Sequence, residues 1–298
     1  MDVFNSTKPQ NKNSYGKILL ERNSYSTQQL NEWFATACVV HGILCLTALL
    51  GNTVIVITIW KKSSLHSASN ILLASLAISD LGVGLLAQPL FIAYLLSGTY
   101  IVGLLLHVSA SIVCSTFFTI TAIAVDHLLA LKLHLRYHCV VTRSRVIWLV
   151  SFIWIFSIIF QAGYWASNLS YISDIVASAV ITCVLFGNFV IYFKINLVIR
   201  QHQRQIQHQQ PEANNGSIFS VKRFRKSALN SFLIYIVLLF CNMPHSVAII
   251  MHLTGVTTSP GFYMAIITLI SLNSSLNPFL FCWREREIRT AMRQLFCR

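Results

Sequence analysis

The sequence predicts an all-α membrane protein that folds as a bundle of seven transmembrane helices. Of its 298 residues, 55% are hydrophobic and only 10% are charged, whereas soluble domains carry about 25% charged residues. The mean hydropathy is +0.64. This composition excludes a soluble globule, and it excludes a disordered chain, which needs low hydropathy and high charge.

Seven apolar runs are long enough to cross a bilayer as helices, since a span needs about 20 mostly apolar residues. Five of these runs contain no charged residue, and the other two contain one acid each, Asp80 and Asp126. The strands of a membrane barrel are only about 10 residues long, so these runs favour helices. The predicted spans are residues 33–60, 67–97, 98–131, 146–167, 175–193, 228–253 and 255–283.

The basic residues predict the orientation of the bundle. Of the 22 Lys and Arg residues, 18 fall in connections and the C-terminal segment on one side of the membrane. The other four precede the first span, and the connections on the opposite side contain none. Because basic loops stay on the cytoplasmic side, the N-terminus is expected outside and the C-terminus inside. Topology and contact with anionic lipid or cytoplasmic partners therefore explain the net charge of +13, and no nucleic-acid partner is expected.

The sequence makes separate predictions for the N-terminal and the C-terminal segment. Residues 1–32 contain no apolar signal-peptide core, so we expect a flexible extracellular segment and insertion directed by the first span. The sequons at Asn5 and Asn168 fall on the outer side and are candidate glycosylation sites. Residues 284–298 are expected to form a short cytoplasmic amphipathic helix. Cys297 at its end is either a palmitoylation site or a free thiol.

Several polar residues are expected at mid-membrane depth. A charged side chain within a span is costly and usually functional, and Asp80 lies in the middle of the second span. Oxygen ligands suit a hard monovalent cation, so the set allows either a cation pocket or a structural polar network between helices. Spacing alone favours the network. The other members of the set are Asn52, Thr116, Asn273, Ser274 and Asn277.

Short motifs occur in a fixed order along the seven spans. They are Gly51-Asn52, Leu76-Ala77-Ile78-Ser79-Asp80, Asp126-His127-Leu128, Trp154, Tyr192, Phe240-Cys241-Asn242-Met243-Pro244 and Asn277-Pro278-Phe279-Leu280-Phe281. Each motif alone is weak, but their order, their spacing and their fit to seven spans are highly specific. From about Cys38 to Arg298 the chain resembles a rhodopsin-like (class A) G-protein-coupled receptor.

This resemblance implies a function and two sets of residues. The implied function is that of a multi-pass plasma-membrane receptor that passes an extracellular ligand signal to a heterotrimeric G protein, and possibly to arrestin, as the sixth helix swings outward. The implied sodium pocket consists of Asp80 with Asn52, Thr116, Asn273, Ser274 and Asn277. The implied coupling and switching residues are Asp126, His127, Tyr192, Pro244, Asn277, Pro278 and Phe281.

The chain also departs from the family pattern. His127 replaces the arginine that contacts the G protein, Asn242 replaces a tryptophan, and Phe281 replaces a tyrosine. Val102 stands where the third helix normally carries a disulfide cysteine, and the fifth span has no proline. With a short second outer loop, these absences resemble the melanocortin, cannabinoid and lysophospholipid receptor branch. The departures allow either raised basal activity or a silent scaffold.

The implied ligand is neutral or lipidic. No lysine that could bind retinal lies in the seventh span, and Ser109 stands where receptors for biogenic amines carry an acid. The outer half of the bundle contains no fixed charge, which favours a neutral, lipidic or weakly polar ligand; a peptide that engages Asp174 of the second outer loop is the alternative. No cofactor is expected other than a bound sodium ion. The candidate ligand contacts are Gln88, His107, Ser109, Asn242 and His245.

Two other functions compete with a receptor. A transporter or channel predicts an internal repeat or more than one acid at mid-depth, and the sequence has neither. A non-coupling scaffold or decoy is motivated by His127 and Asn242. No Ser-His-Asp arrangement or Gly-rich phosphate loop is visible, so an enzyme is not expected.

Overall fold

The computed structural model describes the bundle and most of its connections. The described residues are 27–97, 101–133, 136–166, 170–208, 232–233, 235–248, 250–251, 254, 256, 259–284 and 286–296. All regular secondary structure within these ranges is helical, as the sequence predicts.

The long helices follow one another through short connections. We number them α1 (Thr27–Lys61), α2 (Ala68–Gly82, continued by a π-helical segment Val83–Ala87 and by Gln88–Ser97), α3 (Ile101–Leu133), α4 (Arg143–Ala166), α5 (Ser170–His208), α6 (Tyr235–Ala248), α7 (Pro260–Arg284) and α8 (Arg286–Phe296). A 3₁₀ turn, Ser63–Leu65, joins α1 to α2, and a short helix, Tyr137–Val140, lies between α3 and α4.

These helices overlap all seven predicted spans. Among the described residues, six helices are long and apolar enough to cross a membrane, and Tyr235–Ala248 is a shorter apolar helix. α1 begins at Thr27, six residues before the predicted start of the first span at residue 33. α5 extends far beyond residue 193 to His208, because the Lys, Arg, Gln and Ile residues that follow form helix readily.

Polar side chains lie inside the bundle and apolar side chains cover its outside. Asn52, Asp80 and Asn277 are fully buried, whereas Trp60 and Phe152 are strongly exposed. A water-soluble protein of this size would not expose so much apolar surface. The distribution is that of a bundle whose solvent is hydrocarbon, and it agrees with the predicted membrane location.

The π-helical segment of α2 was not predicted. Pro89 follows it, and a proline has no N–H and collides with the carbonyl group four residues earlier in a regular helix. The wider turn over Val83–Ala87 relieves this collision. It also leaves the Gly84 carbonyl group to accept a hydrogen bond from Cys45 Sγ of α1 at 3.1 Å.

α3 packs between α2, α4 and α5, and α1 packs against α2 and α7. The buried apolar core takes side chains from most of these helices, including Ile55, Leu76, Ile120, Leu238 and Phe281. On the outer edge of this core, the Trp154 indole Nε1 of α4 donates to Ser75 Oγ of α2 at 3.3 Å.

α8 is amphipathic, as the sequence predicts. Ile288 and Ala291 are buried, while Arg293 on the opposite face is exposed. The Arg289 guanidinium donates to the Cys282 and Trp283 carbonyl oxygens at 3.4 and 3.2 Å. These carbonyl groups end α7 and have no partner within their own helix, so Arg289 caps α7 and anchors α8 to it.

Gly51 allows the closest approach between α1 and α7. A Cβ atom at Gly51 would lie 2.6 Å from Pro278 Cβ and 2.7 Å from Pro278 Cγ. Both atoms belong to a rigid ring inside α7, so neither can move aside as a flexible side chain would. A side chain at position 51 would therefore push the two helices apart.

We expect Gly51→Ala to lower the melting temperature of the purified protein, because overpacking costs about 1–3 kcal/mol. This cost exceeds or cancels the gain of about 1 kcal/mol in helix propensity. Gly42→Ala is the matched control, since a Cβ there has nothing within 4 Å. It should leave the melting temperature unchanged or raise it. Equal effects of the two substitutions would contradict the close packing at Gly51.

Candidate functional site

The residues predicted for the cation pocket come together where α1, α2, α3 and α7 meet. Asn277 Nδ2 of α7 donates to Asp80 Oδ2 of α2 at 2.7 Å, and the Ser274 side chain also hydrogen-bonds to the Asp80 carboxyl group. Asn52 Nδ2 of α1 donates to the Ala48 and Ser274 carbonyl oxygens at 2.9 and 3.2 Å. The cluster thus joins three helices through hydrogen bonds.

α3 joins this cluster through Thr116. Thr116 Oγ1 lies 3.0 Å from Ser79 Oγ, which itself donates to the Leu76 carbonyl oxygen at 2.8 Å. Ser79 precedes Asp80 in α2, so Thr116 is placed beside the acid. All six residues of the predicted pocket are nearly or fully buried: Asn52, Asp80, Thr116, Asn273, Ser274 and Asn277.

The cluster contains a surplus of acceptor atoms. In the described part of the chain, four buried side-chain oxygens of this group have no hydrogen-bond partner: Asp80 Oδ1, Asn52 Oδ1, Asn273 Oδ1 and Asn277 Oδ1. Buried polar atoms are nearly always paired. The unpaired Asp80 carboxyl oxygen and the three unpaired amide oxygens are ligand types that suit a hard cation such as sodium, and ordered water is the other group that they could bind.

At the inner end of the bundle, Asp126 is held by two hydroxyl groups. Tyr137 of the short inner helix donates to Asp126 Oδ1 at 2.6 Å, and Ser69 of α2 donates to Asp126 Oδ2 at 2.7 Å. Both carboxyl oxygens act as acceptors, as in the ionised form. Asp126 therefore connects α3 to α2 and to the short helix Tyr137–Val140. Neither of these hydrogen bonds involves His127, the next residue in the sequence.

His127 is turned back onto its own helix. Its Nδ1 lies 2.7 Å from the Ile123 carbonyl oxygen. A carbonyl oxygen only accepts, so Nδ1 carries the proton and donates it. The His127 side chain is buried at the inner end of α3. It occupies the position of the family arginine but has a shorter reach and no planar guanidinium.

α5 and α6 are joined by an aromatic cluster that contains Tyr192. The Tyr192 ring stacks on Tyr235 of α6 with a centroid distance of 5.3 Å, and it meets Phe232 edge-on at 5.7 Å. The Tyr235 hydroxyl donates to the Leu185 carbonyl oxygen of α5 at 2.9 Å. Sequence reasoning selected Tyr192 but not the two aromatic residues opposite it.

The other predicted switching residues lie in α6 and α7. Pro278 interrupts the hydrogen bonding inside α7, and Phe281, one turn further along, is fully buried in the core. Pro244 lies within α6, one turn beyond Phe240. Asn242 Nδ2 donates to the Leu238 carbonyl oxygen of the same helix at 2.8 Å.

The candidate ligand contacts are spread over three helices. Gln88 of α2, Ser109 of α3 and Asn242 of α6 are buried, and His245 of α6 is half-buried. His107 lies in α3, but its side chain falls outside the described residues. These residues belong to different helices, and their grouping around one ligand stays a prediction.

Three predicted modification sites lie outside the described residues, namely Asn5, Asn168 and Cys297. Sequence reasoning also missed three residues that the structure brings into the site: Ser69, Tyr137 and Tyr235. Ser69 and Tyr137 reach Asp126 from elements distant in sequence, and no motif marks them. Tyr235 could have been noticed as a tyrosine within an apolar span, because a buried hydroxyl group needs a partner.

The fold and the two clusters define a seven-helix membrane receptor with a polar centre and a buried acid at its inner end. Comparison with known proteins agrees. The sequence pattern of the family described as "7 transmembrane receptor (rhodopsin family)" matches residues 51–165. This region contains the Gly51-Asn52, Asp80 and Asp126-His127 motifs.

Relatives extend the similarity to most of the chain. A QRFP-like peptide receptor of Branchiostoma floridae is 26% identical over 87% of this chain and 77% of its own length. Adenosine receptor A2b of Gallus gallus is 25% identical over 87% of this chain and 88% of its own length. Melanocortin receptor 4 of Danio rerio is 25% identical over 85% of this chain and 82% of its own length.

Over most of its length the chain is similar to rhodopsin-like (class A) G-protein-coupled receptors. This similarity supports the G-protein-coupled receptor predicted from the sequence motifs, and the relatives named above are receptors and not enzymes. Nothing in the comparisons favours a transporter or a decoy. The relatives named above bear the names of peptide, adenosine and melanocortin receptors, so they do not single out a branch.

We expect Tyr137→Phe to destabilise the protein, because it leaves Asp126 Oδ1 buried without its donor. Losing one hydrogen bond to a charged group costs about 1.5–3 kcal/mol, which corresponds to a fall of several degrees in melting temperature. Ser63→Ala, at an exposed serine of the adjacent inner turn, is the control and should have no effect. If Tyr137→Phe melts at the wild-type temperature, the Tyr137–Asp126 bond contributes nothing to stability.

The same bond predicts a pH dependence. Burial, the hydrogen bond with Asp126 and the negative charge of Asp126 together raise the pKa of Tyr137 to about 12 from its usual 10. Burial has the largest effect. The protonated phenol is thus favoured in the folded state, and its contribution to stability is complete below pH 10 and is lost as the pH rises to about 12. The stability difference between wild type and Tyr137→Phe should shrink over this interval in thermal melts.

Proposed function

We propose that this receptor resides in the plasma membrane, binds a neutral or weakly polar extracellular ligand, and activates a heterotrimeric G protein with His127 in place of the usual arginine. The observation that carries the proposal is the hydrogen bonding of the buried Asp126 carboxyl group. Its carboxyl oxygens are satisfied by Tyr137 and Ser69. Asp126 therefore needs no charged neighbour to remain buried, and the arginine can be lost without leaving an unpaired acid.

The proposed switch is an outward movement of α6. The Tyr235–Leu185 hydrogen bond and the ring contacts of Tyr192 join α6 to α5. One hydrogen bond and one aromatic pair each contribute about 1 kcal/mol. Contacts of this size are small enough for a ligand to overcome through a difference in affinity of a few kcal/mol between the two states.

Pro244 supports the same movement. A proline removes a backbone hydrogen bond within the helix, so α6 can bend at this point with little cost. Ser246, half a turn beyond Pro244, is buried, and its hydroxyl group has no partner in the described part of the chain. A ligand that engages the outer end of α6 would therefore act close to the hinge.

The absence of charge in the outer half supports a neutral or lipidic ligand. A buried cationic ligand requires an opposing acid, and the sequence places Ser109 where such an acid would stand. Basic residues at the inner ends of the helices, such as Lys61, Arg145 and Arg293, favour contact with anionic lipid. Arrestin is a further partner that we propose from the similarity to rhodopsin-like receptors alone.

We also propose that Asp80 binds a sodium ion together with Asn52, Asn273 and Asn277. The unpaired oxygens of these four residues support this assignment. A bound cation would supply positive charge at the centre of the bundle and so favour the ionised form of Asp80. Asn277, which already donates to Asp80, would hold α7 against α2 in the same state.

Sodium should raise the melting temperature of the purified receptor by roughly 2–4 °C over an equal concentration of potassium, once its concentration is about ten times the dissociation constant. Asp80→Asn should abolish this difference. Asp126→Asn, which alters the other buried acid, should keep it. A wild-type protein whose melting temperature is the same in sodium and in potassium would contradict the cation site.

Ligand-free guanine nucleotide exchange tests the coupling proposal. Membranes with the wild-type receptor should exceed empty membranes for at least one G protein of a panel. His127→Arg should raise the rate roughly fivefold or more, because a guanidinium can form stronger charge-assisted hydrogen bonds with the G protein than a neutral imidazole. His66→Arg, the same change in the α1–α2 connection, is the control and should leave the rate unchanged.

Two outcomes of this experiment would count against coupling through His127. If only His127→Arg exceeds empty membranes, the natural chain is a muted receptor, and the decoy function is favoured. If neither protein does so while both reach the cell surface, the chain does not couple to any G protein of the panel. In that case the non-coupling scaffold replaces the proposed function.

A further inference from the structure

The face of α5 that is turned into the bundle carries a fully buried amide. Asn188 is 0% exposed. A buried amide within a membrane-spanning helix is costly unless it is paired, so the partner of Asn188 matters for the packing of α5. The other buried side chains of this face recur every three or four residues, as one side of a helix requires. They are Leu185, Tyr192, Ile195 and Ile199.

The partner of Asn188 is Thr121 of α3. Asn188 Nδ2 lies 2.9 Å from Thr121 Oγ1. Thr121 Oγ1 donates its single hydrogen to the Phe117 carbonyl oxygen of its own helix at 3.0 Å, so it accepts from the Asn188 amide. The bond therefore has a defined direction, and it joins α5 to α3 through side chains alone.

α5 is bonded to α6 on either side of Asn188. Leu185, three residues before Asn188, accepts the Tyr235 hydroxyl with its carbonyl oxygen at 2.9 Å. Tyr192, four residues after Asn188, stacks on the ring of the same Tyr235 with a centroid distance of 5.3 Å. Tyr235 thus contacts α5 over two turns, and Asn188 lies between the two contact points.

The two hydrogen bonds connect three helices in series. α3 holds α5 through Asn188, and α5 holds α6 through Tyr235. Lipid tails are as apolar as the helix surfaces, so the apolar contacts between helices have substitutes in the bilayer and the hydrogen bonds do not. Moving α6 away from α3 therefore means breaking one of these two bonds.

We propose that Asn188 is a positioning residue of the activation switch. Its bond to Thr121 keeps α5 on α3, so α6 moves outward against a fixed α5 and has to give up the Tyr235–Leu185 bond. Without the Asn188 bond, α5 follows α6, and the Tyr235–Leu185 bond survives in the open arrangement. Asn188 thus stabilises the resting arrangement relative to the open one.

This inference deepens the proposed function and rests on it for the outward movement of α6. Its consequence is specific to bonds in series. Once one bond is removed, α6 is already released from α3, and removing the second bond has no further effect. Two contacts that restrain α6 independently would instead multiply their effects on the population of the open arrangement.

The test measures the position of α6 in the purified full-length protein without a G protein. Spin-labelled noncanonical amino acids replace two exposed residues, Lys132 at the inner end of α3 and Leu233 just before α6, so the native cysteines stay unlabelled. Pulsed electron paramagnetic resonance gives the ratio of long to short distances. Asn188→Leu should raise this ratio roughly threefold, which corresponds to about 0.6 kcal/mol, a typical hydrogen bond between membrane helices.

Matched variants connect this shift to the bond. Thr121→Val removes the acceptor and should reproduce Asn188→Leu, whereas Thr121→Ser keeps the hydroxyl group and should match the wild type. Thr58→Val is the control, because the buried Thr58 hydroxyl donates to the Val54 carbonyl oxygen of its own helix at 2.7 Å. Asn188 Oδ1 is buried without a partner in the described part of the chain, so Asn188→Leu should leave the protein folded.

Tyr235→Phe tests whether the bonds act in series. This substitution removes the hydroxyl group of the second bond and keeps the ring. By itself it should raise the ratio of long to short distances by no more than Asn188→Leu does. In the Asn188→Leu background it should add nothing. A role in stability alone would lower the melting temperature of these variants and leave the distances unchanged.

The inference is overturned if Asn188→Leu leaves the distances unchanged, if Thr58→Val shifts them equally, or if Tyr235→Phe multiplies the effect of Asn188→Leu. Nucleotide exchange measured on the same proteins separates this inference from the proposed function. A shift in distance without exchange would contradict coupling but not the role of Asn188. Exchange by the wild type, together with unshifted distances in Asn188→Leu, would contradict the role of Asn188 alone.

Discussion

The lack of hydrogen-bonding groups in the bilayer core is the constraint on which the rest of the structure depends. Each polar side chain within a span must find its partner inside the bundle, and Asp80 is the most demanding of them. Its hydrogen bond with Asn277, 2.7 Å long, joins α2 to α7. Asn52 and Ser274 extend the same network to α1, so satisfying one acid determines how three helices face each other.

The network is incomplete in a specific way. It provides donors to one oxygen of Asp80 and leaves the other oxygen, together with three amide oxygens, without partners in the described chain. A fully paired network would lock the helices in one arrangement. A network completed by the proposed sodium ion could differ between two arrangements of the helices, as the proposed switch requires.

At the inner end of the bundle, the buried acid Asp126 is paired by side chains of the protein alone. Tyr137 and Ser69 supply both hydrogen bonds that Asp126 needs, and His127 donates to its own helix. None of these three hydrogen bonds joins Asp126 to His127.

The sequence by itself predicted seven helices, their orientation in the membrane and the resemblance to rhodopsin-like receptors. Hydrophobic length, the side on which the basic residues fall and the order of the motifs are local properties, and a bilayer converts them directly into topology. Only the tertiary structure decided which polar residues meet. The pairing of Tyr137 with Asp126, of Tyr235 with the Leu185 carbonyl group and of His41 with Thr268 joins residues on different helices. The rotation of each helix about its axis determines these contacts, and the packing of side chains such as Gly51 against Pro278 sets that rotation in a way that no local pattern records.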